Sequence, residues 1–220
     1  MIIFITVWLA AMTITATHSL LGLGVSWGLD AKPSQIGVWI GPKLFERRIG
    51  RVALRLNWVP IPATYIAFEP LDVDPDSPSA PATHFDLLPA WRRVLVHVLP
   101  WAGLLALCVA LLGTDALSST GRAFMQIVRG AVFPESVGAP LIERFVALAR
   151  SEPGWRFGAL FATKVIAFNL LPLPAVAGFQ IPFQMLRRSR TPPAWATSLG
   201  ALAVLALAIG WGWALVAFLT

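Results

Sequence analysis

The chain has 220 residues, 57% of them hydrophobic and only 13% charged, with a mean hydropathy of +0.72. That is too apolar and too poor in charge for an ordinary soluble domain, and it points to a small polytopic membrane protein. The formal charge of +6 is no nucleic-acid signal, because Lys and Arg beside membrane spans set topology and attract anionic lipid. The single cysteine, Cys108, lies in an apolar run, so no internal disulfide can form. Several of the ten Trp residues fall near segment ends, where interfacial anchors are expected. There is no internal repeat and no heptad pattern, and the sequence reads as one membrane domain, 1–220.

Residues 2–27 form the first span, without a charge before Asp30 and long enough for the roughly 20 residues of a bilayer crossing. It is too long for a signal-peptide core and lacks a basic flank. Residues 36–69 have β character. In 51–58, Val52, Leu54, Leu56 and Trp58 alternate with Arg51, Arg55 and Asn57, which predicts a strand with one buried face. Val38-Trp39-Ile40 and residues 64–68 read as its partner strands. Residues 70–90, rich in Pro, Asp and Ser, form a linker.

A second span, 91–112, is introduced by Arg92-Arg93 and kinked at Pro100. Residues 113–154 are amphipathic, and 136–151 predict a helix with Leu141, Phe145 and Leu148 on one face. The third span, 155–186, is broken, because Pro172 and Pro174 cannot continue an α-helix. A broken helix at bilayer depth leaves backbone groups that need protein or a wet cavity around them, so such breaks tend to mark sites. Residues 194–219 form a fourth, uncharged span. The expected fold is therefore mostly α, with about four transmembrane helices, a small membrane-associated β-sheet after the first and a break in the third.

The loop after the first span holds eight Lys and Arg and the loop after the third holds three, against five in the loop between the second and third. This bias places both termini outside and the β region in the cytoplasm, as for an integral protein of a bacterial inner (plasma) membrane.

The stretch Asn169-Leu170-Leu171-Pro172-Leu173-Pro174-Ala175-Val176-Ala177-Gly178-Phe179-Gln180 resembles the Asn-Leu-Leu-Pro-x-Pro-x-x-Asp-Gly-Gly signature of the site-2 protease family of intramembrane zinc metalloproteases. Ile40-Gly41-Pro42-Lys43-Leu44-Phe45 resembles that family's Gly-Pro-Lys-Leu-Phe stretch. Pro60-Ile61-Pro62-Ala63 stands where the family has a Pro-Leu-Gly-Gly loop, and Arg92-Arg93 entering a Pro-containing span fits its second helix. In order and spacing the likeness runs through most of the chain, without the family's PDZ domain.

The resemblance implies a zinc site built from a His-Glu-x-x-His helix and the Asp of the second motif. Here those positions read His18, Ser19, Gly22 and Ala177. One ligand of three remains and the general base is gone, so the resemblance implies a degenerate member with no catalytic residue, no metal and no other cofactor. The polar residues at bilayer depth are His18, His97, Lys164, Asn169 and Gln180. His97 is expected to bond within the helices. Lys164 either snorkels to an interface or lies buried with Asn169, His18 or Gln180.

The expected function is a pseudo-protease: a non-catalytic scaffold or subunit that binds other membrane proteins within the bilayer and no nucleic acid. Its docking residues would be Gly22, Pro60, Ile61, Pro62, Ala177 and Gly178, with strand 51–58 receiving an extended partner segment. The alternatives are an active intramembrane zinc metalloprotease with a non-standard site, and a small transporter or channel subunit using the broken helix as a polar path.

Overall fold

The computed structural model describes residues 2–68, 85–173, 176–186 and 194–220. Most of the 70–90 linker with His84, the proline at 174, and the basic turn 187–193 lie outside the described residues. The chain is mostly helical: α1 (Ile2–Gly28), α2 (Ala90–Leu112), α3 (Asp115–Val132), α4 (Ala139–Ser151), α5 (Gly154–Asn169), α6 (Ala177–Leu186) and α7 (Ala194–Leu219), with strands β1 (Gln35–Ile49) and β2 (Val52–Ala67) between α1 and α2.

Among the described residues three helices, α1, α2 and α7, are long and apolar enough to cross a bilayer, and they fit a membrane protein. Trp27, Trp91 and Trp195 stand exposed near their ends, where Trp suits a membrane–water boundary. The helix expected over 155–186 is interrupted between Asn169 and Ala177. Its first half, α5, has 16 residues. At 1.5 Å per residue it is about 24 Å long, short of the roughly 30 Å hydrocarbon core.

Contacts divide the chain into two compact units: Met1–Ala10, Leu105–Phe183 and Arg187–Thr220 form the first, and Ala11–Leu104 with Gln184–Leu186 the second. In the first unit α3 packs against α5 and α7. Phe145 of α4 sits between Phe157 and Phe161 of α5, with ring centroids 5.3 and 5.2 Å away. The stretch read as a single amphipathic segment, 113–154, is two helices joined by one wide turn, Pro134–Gly138, so α4 begins at Ala139 rather than 136.

In the second unit β1 and β2 form a hairpin closed by Gly50 and Arg51, with Ile49 opposite Val52. A two-residue turn that follows the sheet twist needs positive φ at its first position, and Gly50 supplies φ 61°. The hairpin also doubles back on itself. Residues 35–38 pair with 53–56 on one side, numbers rising in step in the parallel sense, and with 64–67 antiparallel on the other. The bends fall at Trp39 (φ 66°) and Gly41 (φ 98°) in β1 and at residues 60–63 in β2, which the register passes over. The ring of Tyr65 covers its partner Gly37, where a Cβ would lie 2.0 Å from the ring.

Two expectations for the sheet are corrected. The apolar alternation in 51–58 does not mark the buried face: Ala53 and Asn57 are buried, while Leu54 and Trp58 are exposed. Asn57 turns inward, where its amide N–H donates across the bend to the Trp39 carbonyl (3.1 Å) and to the Tyr65 hydroxyl (3.4 Å), while its Oδ1 is buried without a partner among the described residues. Nor does strand 51–58 offer an edge. Its residues 53–56 are paired on both sides, and the outer ranks of the described sheet are 43–49 and 64–67.

Candidate functional site

The positions that the resemblance assigns to chemistry fall in both units, with His18, Ser19 and Gly22 in the second and Ala177 and Gly178 in the first. On α1 the His18 ring stacks on Trp101 of α2, centroids 3.8 Å apart. Its Nε2 is buried without a hydrogen-bond partner among the described residues. Ser19 is buried and its hydroxyl lies 2.6 Å from that of Thr64 in β2. The Thr64 hydroxyl donates in turn to the Thr15 carbonyl of α1. Since a hydroxyl has one proton, Ser19 is the donor to Thr64. The three residues form a polar link from α1 to the last rank of the sheet.

Gly22, one helical turn further, is covered by its own unit: a Cβ there would lie 2.9 Å from Ile66 Cδ1 and 3.6 Å from Pro100 Cγ. Pro60 and Ile61 are exposed and Pro62 is half-buried, all in the bend of β2.

In the first unit Ala177 opens α6 and is half-buried. Gly178 follows with its backbone directly on the preceding turn, where a Cβ would come within 2.2 Å of the Leu171 carbonyl oxygen and 2.3 Å of the Leu170 oxygen. The interruption is therefore tight at this point and admits only glycine without rearrangement. Phe179 stacks on Phe183 of the same helix, centroids 5.8 Å apart. Asn169 closes α5 by donating to the Val165 carbonyl at 2.9 Å. Gln180 lies half-buried on α6, and His97 on α2 sets its ring edge-on to Phe85.

The hydrogen bonds of Lys164 go to another helix. Its ammonium reaches across to α3, to the Ser119 carbonyl (3.3 Å), the Ser119 hydroxyl (3.2 Å) and Gln126 Oε1 (3.2 Å). The Ser119 hydroxyl also meets Thr163 at 2.9 Å. Sequence reasoning missed this cluster. The signal was there: Ser119 and Gln126 are seven residues apart and so share one face of an amphipathic helix.

The residues at the resembled metal positions do not fit zinc. His18 is the one side chain among them with a strong zinc-ligating atom, and its ring is stacked on an indole at an inclination of 30°. Ser19 is committed to Thr64, and Gly22 and Ala177 carry no donor. Among the described residues no group of three or more His, Cys, Asp or Glu is placed to hold a metal ion. Comparison with family models, with curated proteins and with solved structures finds no match for this chain.

Proposed function

We propose that the chain is a non-catalytic, site-2-protease-like integral membrane protein that binds other membrane proteins as a scaffold or subunit. The observation that carries this reading is the fate of three positions within five residues of α1, His18, Ser19 and Gly22. Where a protease of that type needs a ligand, a base and a second ligand, this chain uses His18 to stack on Trp101, Ser19 to anchor Thr64 and Gly22 to seat Ile66. Chemistry has been exchanged for packing. The chain order supports the resemblance: an apolar helix carrying His18, a bent hairpin, a second apolar helix, and a helix interrupted after Asn169. In this reading α5 and α6 together make a broken crossing, the third of four in chain order, both termini lie outside and the hairpin lies in the cytoplasm of a bacterial inner membrane.

Gly22 and Gly178, expected above as docking residues, are both crowded by the chain itself and so serve internal packing. We place the partner surface instead on the exposed apolar residues of the hairpin, Phe45 (55% exposed), Trp58 (64%) and Ile61 (51%). The test is purification of the full chain in mild detergent with quantitative mass spectrometry and elemental analysis. One membrane protein should co-purify at fixed stoichiometry, and it should be lost from a variant carrying Trp58→Asp and Ile61→Asp that still inserts and elutes as the parent does. About one zinc per chain would overturn the reading, and so would retention of the partner by the double variant.

A further inference from the structure

The first unit contains a pocket of about 380 Å³ that the docking reading does not use. It is within the size range of small-ligand sites, roughly 300–1,000 Å³. Its wall is almost wholly apolar, with Leu141, Phe145 and Leu148 of α4, Phe161 of α5 and Trp211 of α7. Two cations break that surface, Lys164 and Arg144. Every acceptor on the Lys164 ammonium is neutral, and no ion pair among the described residues includes either cation. No Asp or Glu lines the pocket. The three N–H bonds are satisfied but the charge is not compensated, which is costly where burial lowers the dielectric.

We propose that this pocket binds a single-chain, long-chain carboxylate: the hydrocarbon tail lies among the α4, α5 and α7 side chains, and the carboxylate takes one N–H of the Lys164 ammonium in exchange for one of its two neutral Ser119 contacts, with Arg144 at the exposed rim. Charge complementarity chooses the acid over a neutral lipid. A charge-assisted hydrogen bond is roughly twice as strong as a neutral one, whereas the tail alone is recognised equally in an acid and an alcohol.

The test is photolabelling of the full chain in neutral phosphatidylcholine nanodiscs with a diazirine-bearing stearate, followed by peptide mapping. Labelling should saturate, map to α4 and to the Trp211 region, and be competed by stearate but not by octadecanol. Lys164→Gln should weaken labelling about tenfold or more, the usual worth of a charged hydrogen bond, and Lys164→Arg should keep most of it. Leu148→Trp, which fills the pocket and leaves Lys164 in place, should abolish it. Equal competition by octadecanol would overturn the proposal, as would competition by phosphatidylglycerol vesicles with none by stearate. Undiminished labelling of Lys164→Gln or Leu148→Trp would also overturn it. If Lys164→Gln fails to fold, the acid-against-alcohol comparison on the parent and the Leu148→Trp variant still decide.

Discussion

Thr64 has one hydroxyl proton and gives it to the Thr15 carbonyl, and its oxygen accepts from Ser19. One side chain of β2 thus holds two residues of α1 a turn apart, in the stretch where the resemblance would put a catalytic base. Thr64→Val keeps the shape and removes both bonds, leaving the buried Ser19 hydroxyl without this acceptor. The expected loss is about 1–3 kcal/mol, read as a lower midpoint of thermal unfolding in detergent, while Thr64→Ser should stay near the parent. A Thr64→Val protein as stable as the parent would show that the link is dispensable. The sequence displayed Ser19 and Thr64 as ordinary small polar residues, 45 positions apart. Nothing local connects them, and the link exists because the hairpin doubles back so that residues 64–67 form its outer rank.

At the scale of elements, α7 is built inside out relative to a helix of a water-soluble protein. It buries Ala196, Gly200 and Ala214 and exposes Leu199, Leu202, Leu205 and Ile209. Small residues on the covered face let backbones approach closely where there is no water to drive leucines together. The closest approach is at Gly210, where a Cβ would lie 2.2 Å from the Ala131 carbonyl oxygen of α3. One turn of the same contact is fixed by Trp211, whose indole N–H donates to the Ile127 carbonyl at 3.0 Å. Gly212, two residues on, has nothing within 4 Å of its Cβ direction. Gly210→Ala should therefore force α3 and α7 apart and cost about 1–3 kcal/mol, as overpacking does. Gly212→Ala should be neutral or slightly stabilising through helix propensity. Differential scanning fluorimetry of the two variants in one detergent separates them, and equal midpoints would contradict the packing described. The amphipathic stripe of Leu141, Phe145 and Leu148 was legible from spacing, and the structure sets all three on one pocket wall. That a cation faces them from α5 was not legible, because it depends on how α4 and α5 meet.

For the whole molecule, the distribution of Lys and Arg favours a cytoplasmic hairpin and external termini. In a Cys108→Ser background, Thr220→Cys should react with a membrane-impermeant maleimide in intact cells. Arg51→Cys, at the exposed hairpin turn, should react only after permeabilisation. The reverse pattern would invert the topology, and labelling of both from outside would remove the hairpin from the cytoplasm.

The sequence alone determined what depends on the chain locally. Apolar runs of spanning length mark α1, α2 and α7, because the bilayer reads length and hydropathy residue by residue. The closely spaced prolines after Asn169 predict a helix break, because the missing N–H and the ring clash are properties of the residue, whereas the single Pro100 and Pro182 lie inside α2 and α6. Pairing of Val38 with the 51–58 strand, at Leu56, was also legible from β-rich runs separated by Gly and Pro, whereas residues 64–67, expected beside that same strand, pair with 35–38 instead. The tertiary structure decided everything that requires a second surface. Which face of β2 is buried turned on the Asn57 amide meeting Trp39 across a bend, not on the alternation of apolar residues. The partners of Lys164 turned on α3 packing beside α5. Periodicity tells which residues share a face, but the energy of burying that face belongs to whatever is packed against it.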